Sequence, residues 1–505
     1  MDKTQHPIEL WDSFRERSRL FSKRCAISTS RGEMTFERLF ALAERLAVEL
    51  SKAGVPEESL VGLALPNSIA FVPAFLALMK LSATAALVSP KYRASELRSI
   101  VDGVHPQCFL TTASLADAME QKISVSHRET IPLPQLGDEL KLVFPAAPSV
   151  SLRSQAARDG FSPCRAALIK FTSGSTGEPK GIAWTVKNVL AEAHNVALTL
   201  EITPADRLLV AVPVFHSYGF DLGVLPMLFS GAALILREMF IPRRILEDIS
   251  GQGVTIFLGV PSMYRFFMET SLSTPPEWSE VRYLLSCTAP LPPDLIAAFD
   301  DKYHLPICQH YGSSETGAAT NHLPSQVLAR PESVGLPLKN VEIKIWDEKG
   351  GELPSGEEGE VIVKSQAVAG GYMMGHPDGE SLFKDGTYST GDLGVVDRDG
   401  FLYLRGRKKE IINVGGLKVS PFEVAQVLKS FPAVREAVVI GVQDAGGEEV
   451  VQAVVTLSGP ASEKEILAFC QARLADYKVP RRIDIRDEIP LGPSGKVNLR
   501  SEDFR

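Results

Sequence analysis

The sequence predicts an α/β chain that passes into a small antiparallel β segment and ends in a compact α+β unit. Three observations carry this. Short apolar runs alternate with helical patterns from Thr35 to about Leu258, the signature of βα units on largely parallel sheets with helices on both faces. After about residue 330 the period changes to two, as in Val341-Glu342-Ile343-Lys344-Ile345. Over the last hundred residues two helix-capping signals flank two strand-like runs.

Taken in order, the first element is a helix from Thr35 to Lys52, with Leu39, Leu42, Ala43, Leu46 and Leu50 on one face and Gly54 just past its end. Strand-like runs follow at Leu60–Leu65, Ala85–Ser89, Cys108–Thr111, Leu208–Val212, Ala232–Leu236 and Thr255–Leu258. Glycine-rich loops at 174–181 and 312–317 punctuate them. In the β segment, Glu360-Val361-Ile362-Val363-Lys364 alternates again, and Asp399-Gly400 marks a turn between two short strands. Beyond it, Ser420-Pro421-Phe422-Glu423 sets a capping serine before proline at the first helical position, and Ser462-Glu463-Lys464-Glu465 repeats the capping box. Ala437–Val442 and Val450–Leu457 read as strands. The charged run Arg405-Gly406-Arg407-Lys408-Lys409-Glu410 is the expected boundary of this unit.

Composition narrows the function. With 53 basic and 61 acidic residues in 505, the formal charge is −8, so no broad basic surface is available for nucleic acid. Six cysteines without a C-x-x-C pair predict reduced thiols and a cytoplasmic location, not a zinc knuckle or disulfide scaffold. The amino-terminal stretch is charged throughout and no secretory leader is expected. Two long apolar stretches, Phe71 to Pro90 and Leu208 to Leu236, are broken by Pro73, Lys80, Pro213, His216, Asp221 and Pro226, so buried soluble elements are expected and no membrane span.

The most informative stretch is Phe171-Thr172-Ser173-Gly174-Ser175-Thr176-Gly177-Glu178-Pro179-Lys180-Gly181. Hydroxyls, glycines and one lysine in a tight loop suit a polyphosphate, since backbone N–H groups can approach closely and the hydroxyls add donors. It is not a Walker A loop, because Pro179 and Gly181 flank the lysine where glycine and Ser/Thr are required. Apolar Ala166–Phe171 leads straight into it, which argues against a solvated linker.

This loop resembles that of the adenylate-forming (ANL) superfamily, which includes acyl- and aryl-CoA ligases, beetle luciferases and peptide-synthetase adenylation domains. Further segments match in the same order: Phe215-His216; Tyr311-Gly312-Ser313-Ser314-Glu315-Thr316-Gly317; Tyr388-Ser389-Thr390-Gly391-Asp392; Gly406-Arg407 leading to Gly415-Gly416; and Pro490-Leu491-Gly492-Pro493-Ser494-Gly495-Lys496-Val497. The resemblance covers nearly the whole chain. It implies a large amino-terminal domain, 1–408, of two βα-layered subdomains with a small β-barrel-like subdomain at about 330–405. It also implies a mobile small α+β domain, 409–505, carrying Lys496.

The implied activity is ATP-dependent activation of a small carboxylic acid to acyl-AMP, with pyrophosphate release, then transfer to the thiol of CoA, with Mg2+ as cofactor. Bringing a carboxylate onto the α-phosphorus of an anionic nucleotide requires cations where charge accumulates. By resemblance Lys496 is the adenylation lysine, Glu315 the magnesium acid, Ser314 an α-phosphate contact in place of the usual threonine, and His216 the aromatic gate to the pantetheine tunnel. The loop Thr172, Ser173, Gly174, Ser175, Thr176, Gly177 and Lys180 holds the phosphates. Tyr311 and Gly312 face the adenine, Gln309 partners its amino group, and Asp392 with Arg407 holds the ribose. Lys409 is the hinge, and Gly415 with Gly416 lines the CoA tunnel, with Asn413 where some CoA ligases carry lysine.

The resemblance sets the acyl pocket beside Tyr218, Asp221, Gly259, Val260 and Thr288. Amino-acid-activating relatives place an aspartate where this chain has Ser217, so an α-amino acid is disfavoured, and Tyr218, Phe220 and Val260 suit an aryl or medium alkyl acid. With nine residues after Lys496, no fused carrier domain is expected. The alternative acceptor is a separate carrier protein. A luciferase-type oxidation and a regulator without chemistry rank below both, the latter because Lys496, Glu315 and Asp392 are all retained.

Overall fold

The computed structural model describes residues 6–132, 135, 139–146, 166–173, 179–272, 278–373, 382–414, 417–443 and 449–489. By its contacts the chain forms two units, residues 1–343 with 363–388, and residues 344–362 with 389–505.

The first unit contains two large sheets. One has nine strands, ordered Leu336–Pro337, Gly317–Asn321, Ile307–Ser313, Tyr283–Ser286, Ile256–Gly259, Arg207–Val210, Ala233–Leu236, Cys25–Thr29 and Gly32–Thr35. The six from Ile307–Ser313 to Cys25–Thr29 are parallel, and antiparallel pairing finishes each edge. The other has eight strands, with Leu168–Ser173, Thr84–Leu87, Leu60–Ala64 and Cys108–Thr112 parallel at its centre. Pro179–Trp184 turns back antiparallel beside Leu168–Ser173, and Gly371–Tyr372 covers its outer edge. The central strands are buried on both faces, hence their continuous apolar runs.

Local signals place the helices. Thr35 accepts from Arg38 N and starts the helix Phe36–Lys52, whose Leu39, Leu42, Ala43, Leu46 and Leu50 are all buried. The two long apolar stretches resolve into short buried pieces: Phe71–Lys80, with all nine residues before Lys80 buried, then Thr84–Leu87; and Arg207–Val210, a helical turn, Leu225–Ser230 and Ala233–Leu236. Among the described residues no helix is long and apolar enough to cross a membrane.

In the second unit, Asp392 stands within the strand Thr387–Val396, which pairs antiparallel across the Asp399-Gly400 turn with Leu402–Arg407 and sets Asp392 opposite Arg407. A three-stranded sheet of Val434–Gln443, Glu449–Leu457 and Arg482–Ile485 is covered by the helices Pro421–Lys429 and Glu463–Gln471. Both helices have their expected serine caps, but only Ser462 forms a reciprocal box. Glu423 turns instead to Lys478, at 2.7 Å. Val424, Leu428, Val439, Val455, Ile466 and Cys470 form its core.

Candidate functional site

The turn that carries Ser314 and Glu315 joins the antiparallel strands Ile307–Ser313 and Gly317–Asn321. Two glycines make it possible. A Cβ on Gly312 would lie 2.3 Å from the Gly317 carbonyl oxygen, and Gly317 has φ +69°. Within the turn, Ser313 Oγ accepts from Glu315 N and Thr316 N, each at 3.2 Å, and Thr316 Oγ1 accepts from Ser313 N at 3.0 Å. The short polar side chains thus pair the turn's own amides.

Glu315 is held at both ends. Its backbone carbonyl accepts from Ala369 N at 2.8 Å, and its carboxylate accepts from the Tyr372 hydroxyl at 2.9 Å. Tyr372 also meets the Tyr388 hydroxyl at 3.0 Å. Burial and the Glu315 charge push the Tyr372 phenol far above its usual range, so it serves here as a fixed donor. Lys180, on the strand Pro179–Trp184, has Nζ 5.9 Å from the centre of the Tyr372 ring. One partly exposed carboxylate beside hydroxyls fits magnesium, which takes one or two carboxylates and completes its shell with phosphate and water oxygens.

Behind this turn lies a buried charged cluster. Lys170, two residues before Thr172, donates to both carboxylate oxygens of Asp221 at 2.7 Å and sits 3.3 Å from the centre of the Trp184 ring. Trp184 Nε1 donates to the Ser314 carbonyl at 2.9 Å. Glu192 Oε1 accepts from Ala318 N at 2.8 Å, and a Cβ on Gly317 would fall 2.4 Å from Glu192 Oε2. All three charged side chains are nearly inaccessible. Burial lowers Lys170 and raises Asp221, while each charge pulls the other back. Burial, reinforced by the Asp221 charge, holds the Glu192 carboxyl well above the carboxylate range.

Asp221 was expected at the acyl pocket, but its carboxylate faces Lys170 from a π-helical turn, Phe220–Val224. Half-buried His216 caps the short helix Ser217–Gly219, its ring 5.0 Å from that of Phe215. Ser217 Oγ lies 2.7 Å from Ser314 Oγ, so the helical turn Ser217–Gly219 and the turn that carries Glu315 touch directly. Tyr218 is buried and stacks at 6.1 Å on His310. Its hydroxyl and Ser286 Oγ are both buried without a hydrogen-bond partner among the described residues. Gly259 ends Ile256–Gly259 opposite Ser286, and Val260 starts the next helix. Thr288 is exposed, with φ +75°.

Gln309 and Tyr311 are buried on Ile307–Ser313. Gln309 Nε2 donates to the carbonyls of Pro331 and Ser333, at 2.8 and 2.7 Å, which fixes its amide and leaves the side-chain oxygen to accept. Thr172 is partly exposed at the end of Leu168–Ser173. In the second unit, Arg407 Nε donates to Asp392 Oδ1 at 2.9 Å, and Glu360 braces the preceding residues by accepting from Ser389 Oγ and Gly391 N. Lys409 is exposed in the turn Lys408–Glu410. Gly174, Ser175, Thr176, Gly177, the side chain of Ser173, Gly415, Gly416 and Lys496 lie outside the described residues.

Sequence reasoning assigned no role to Lys170, Trp184, Glu192, Tyr372 or Ser217's hydroxyl. Their partners lie far away along the chain: 51 residues separate Lys170 from Asp221 and 57 separate Glu315 from Tyr372. The one available signal was a lysine inside an otherwise apolar strand, Leu168-Ile169-Lys170-Phe171.

Comparison with known proteins identifies the family. Residues 14–373 match the family described as AMP-binding enzyme, and residues 423–496 match the AMP-binding enzyme C-terminal domain. An oxalate–CoA ligase of Arabidopsis thaliana is 34% identical over 492 residues, covering 95% of each chain. A 2-succinylbenzoate–CoA ligase of Bacillus subtilis is 31% identical over 489 residues, covering 96% of each. Among solved structures, the Bacillus subtilis o-succinylbenzoate CoA synthetase with its acyl-adenylate OSB-AMP superposes with TM-score 0.81 at 28% identity, over 98% of this chain and 97% of that one. ATP-bound MatB from Rhodopseudomonas palustris superposes with TM-score 0.84 at 26% identity, over 99% and 98%.

Proposed function

The chain belongs to the AMP-binding enzyme family of adenylate-forming ligases, and from that premise we propose that it activates an aryl or medium alkyl carboxylic acid and loads it onto CoA. It is an AMP-forming acyl-CoA synthetase, with ATP and CoA as cosubstrates and magnesium as its metal. The observation that best supports the assigned site is the meeting at Tyr372. Its hydroxyl holds the carboxylate of Glu315 and its ring faces the phosphate-loop lysine, Lys180.

In the first half-reaction a carboxylate oxygen of the acid bonds to the α-phosphorus, the bond to the bridging oxygen breaks, and pyrophosphate leaves. Magnesium, when bound, neutralises phosphate charge. The chain's own residues then have separable tasks. Thr172 and Lys180 hold phosphates, Gln309 accepts from the adenine amino group, Tyr311 stacks on the ring, and Asp392 with Arg407 grips the ribose. Ser314 donates to the α-phosphate. Lys496 bridges the acid and the α-phosphate, where a preorganised cation lowers the barrier without reorganising. In the second half-reaction the CoA sulfur attacks the acyl carbon, the bond to the phosphate oxygen breaks, and AMP leaves. The domain 409–505 turns about Lys409 between the two steps and brings Gly415 and Gly416 to the pantetheine.

Acid-dependent ATP–pyrophosphate exchange, followed by thioester formation on free CoA, tests this reading. Exchange with no thioester on CoA, but with thioester on a phosphopantetheinylated carrier protein, would overturn the choice of acceptor.

A second reading of the substrate draws on the Tyr218 hydroxyl and Ser286 Oγ, both buried and without a hydrogen-bond partner among the described residues. Such groups favour an acid with a further polar function, and the relatives named for oxalate and 2-succinylbenzoate carry one. Pyrophosphate release across aryl, alkyl and dicarboxylic acids separates the two readings.

A further inference from the structure

We infer that Lys170 is a positioning residue for adenylation: from the protein interior it ties the phosphate-loop strand, the gate segment and the Ser314–Glu315 turn into one body. The inference rests on the adenylation reading above and adds a residue to it. Lys170 stands on Leu168–Ser173, which runs into the phosphate loop. Its ammonium donates to both oxygens of Asp221, which stands on the π-helical turn next to the gate helix that His216 caps. π-Turns inside helical segments are frequent at functional sites, because the extra residue re-aims its neighbours. The same ammonium lies on the face of Trp184, whose Nε1 holds the Ser314 carbonyl. Glu192 closes the cluster from the far side, through Ala318 N and against Gly317. The charged groups facing Lys170 are Asp221, Glu192 and, further off, Glu315.

Stability alone is a poor reason for this cluster. A buried ion pair gains little over apolar side chains of similar volume, whereas it fixes geometry through directional bonds. Lys170 is also almost wholly inaccessible, so it acts on the reaction only through the segments it holds.

The test replaces the pair by apolar residues of similar size, Lys170→Met with Asp221→Leu, and separately removes one donor with Trp184→Phe. For the double variant, the expected result is a melting midpoint within a few degrees of the parent or above it. Its KM for MgATP in pyrophosphate exchange should rise about tenfold, as should the magnesium concentration for half-maximal rate, while the KM for the acid changes less than threefold. Trp184→Phe keeps a ring beneath the ammonium and should shift the MgATP and magnesium values about threefold in the same sense. A folded double variant with parental MgATP and magnesium dependence would overturn the inference. Should that variant fail to fold, unchanged nucleotide and metal dependence in Trp184→Phe would overturn it equally. If the parent itself shows no exchange, the adenylation reading fails instead. Positioning is then read from MgATP affinity by calorimetry, with equal affinities in parent and Trp184→Phe counting against Lys170.

Discussion

The Ser217 and Ser314 hydroxyls stand 2.7 Å apart, joining the helical turn Ser217–Gly219 to the turn that carries Glu315. The Ser217 hydroxyl thereby orients Ser314. Ser217→Ala removes one partly buried hydrogen bond, worth about 1 kcal/mol. The expected outcome is a two- to fivefold rise in KM for MgATP in pyrophosphate exchange, with the ranking of acids unchanged. A reordered acid ranking would show that Ser217 contacts the substrate.

Tyr372 is the donor to Glu315 and a neighbour of Lys180. Tyr372→Phe keeps the ring and deletes the hydroxyl that touches both Glu315 and Tyr388. A hydrogen bond to a charged group is worth about 1.5–3 kcal/mol, so kcat/KM for MgATP should fall roughly ten- to a hundredfold. A magnesium titration at fixed ATP should show a raised requirement for the metal, and an unaltered titration curve would count against Glu315, as held by Tyr372, being the magnesium acid.

Under the proposed domain turn, Lys496 acts in the first half-reaction and Lys409 is the hinge between the two. Lys496→Ala should lower acyl-AMP formation at least a hundredfold and leave CoA transfer from preformed acyl-AMP within threefold of the parent. Lys409→Pro should retain one half-reaction and lose the other. Single-turnover assays of each step check both, and equal losses in the two steps for Lys496→Ala would count against its assignment.

Thr288 holds φ +75° although it is β-branched, a conformation costing about 1–3 kcal/mol. Thr288→Gly should therefore raise stability by about 1 kcal/mol, after the entropy of the added glycine is set against the relieved strain. Denaturant unfolding of the two proteins measures this. If Thr288 stands at the acyl pocket, the stabilised variant also discriminates less sharply among acids of different width.

His310 is buried beneath Tyr218, and desolvation lowers its pKa to about 4 from an ordinary 6.5. Well above pH 6.5 the imidazole is neutral in both folded and unfolded chains. As pH falls through that value the unfolded chain takes up a proton that the folded one refuses, so stability drops until about pH 4. Linkage sets the loss from this residue between pH 7.5 and 5 at about 2 kcal/mol. Comparing the pH dependence of unfolding in the parent and in His310→Asn isolates it. Parallel curves would mean that His310 is accessible to protons in the folded state.

Much of the scaffold was legible because its signals are local. Thr35, Ser420 and Ser462 cap helices within three residues of themselves, and the apolar runs at Leu60 and Ala233 become central strands. The turn was legible too as a glycine-rich loop at 312–317, and the structure supplies the reason: close approach at Gly312 and a positive φ at Gly317. The supports of the site were not. Asp221 reads in sequence as a carboxylate near the gate, and only the fold shows it facing Lys170. Tyr372 lies on a two-residue edge strand, too short to show a period, and reaches Glu315 only after the chain has returned to the sheet. Antiparallel edges on both sheets were likewise not predicted, because pairing direction leaves no mark on a buried apolar run.

The seam between Cys25–Thr29 and Ala233–Leu236 bears on how the polypeptide matures. Ile27 pairs with Leu234, so the first hairpin finds its neighbour only after about two hundred further residues have left the ribosome. The intervening stretch from Leu60 to Trp184 supplies the central strands of the other sheet and has the means to collapse first. Until translation reaches Leu236, the newborn hairpin carries an unsatisfied sheet margin, and chaperone capture during synthesis should concentrate on that interval.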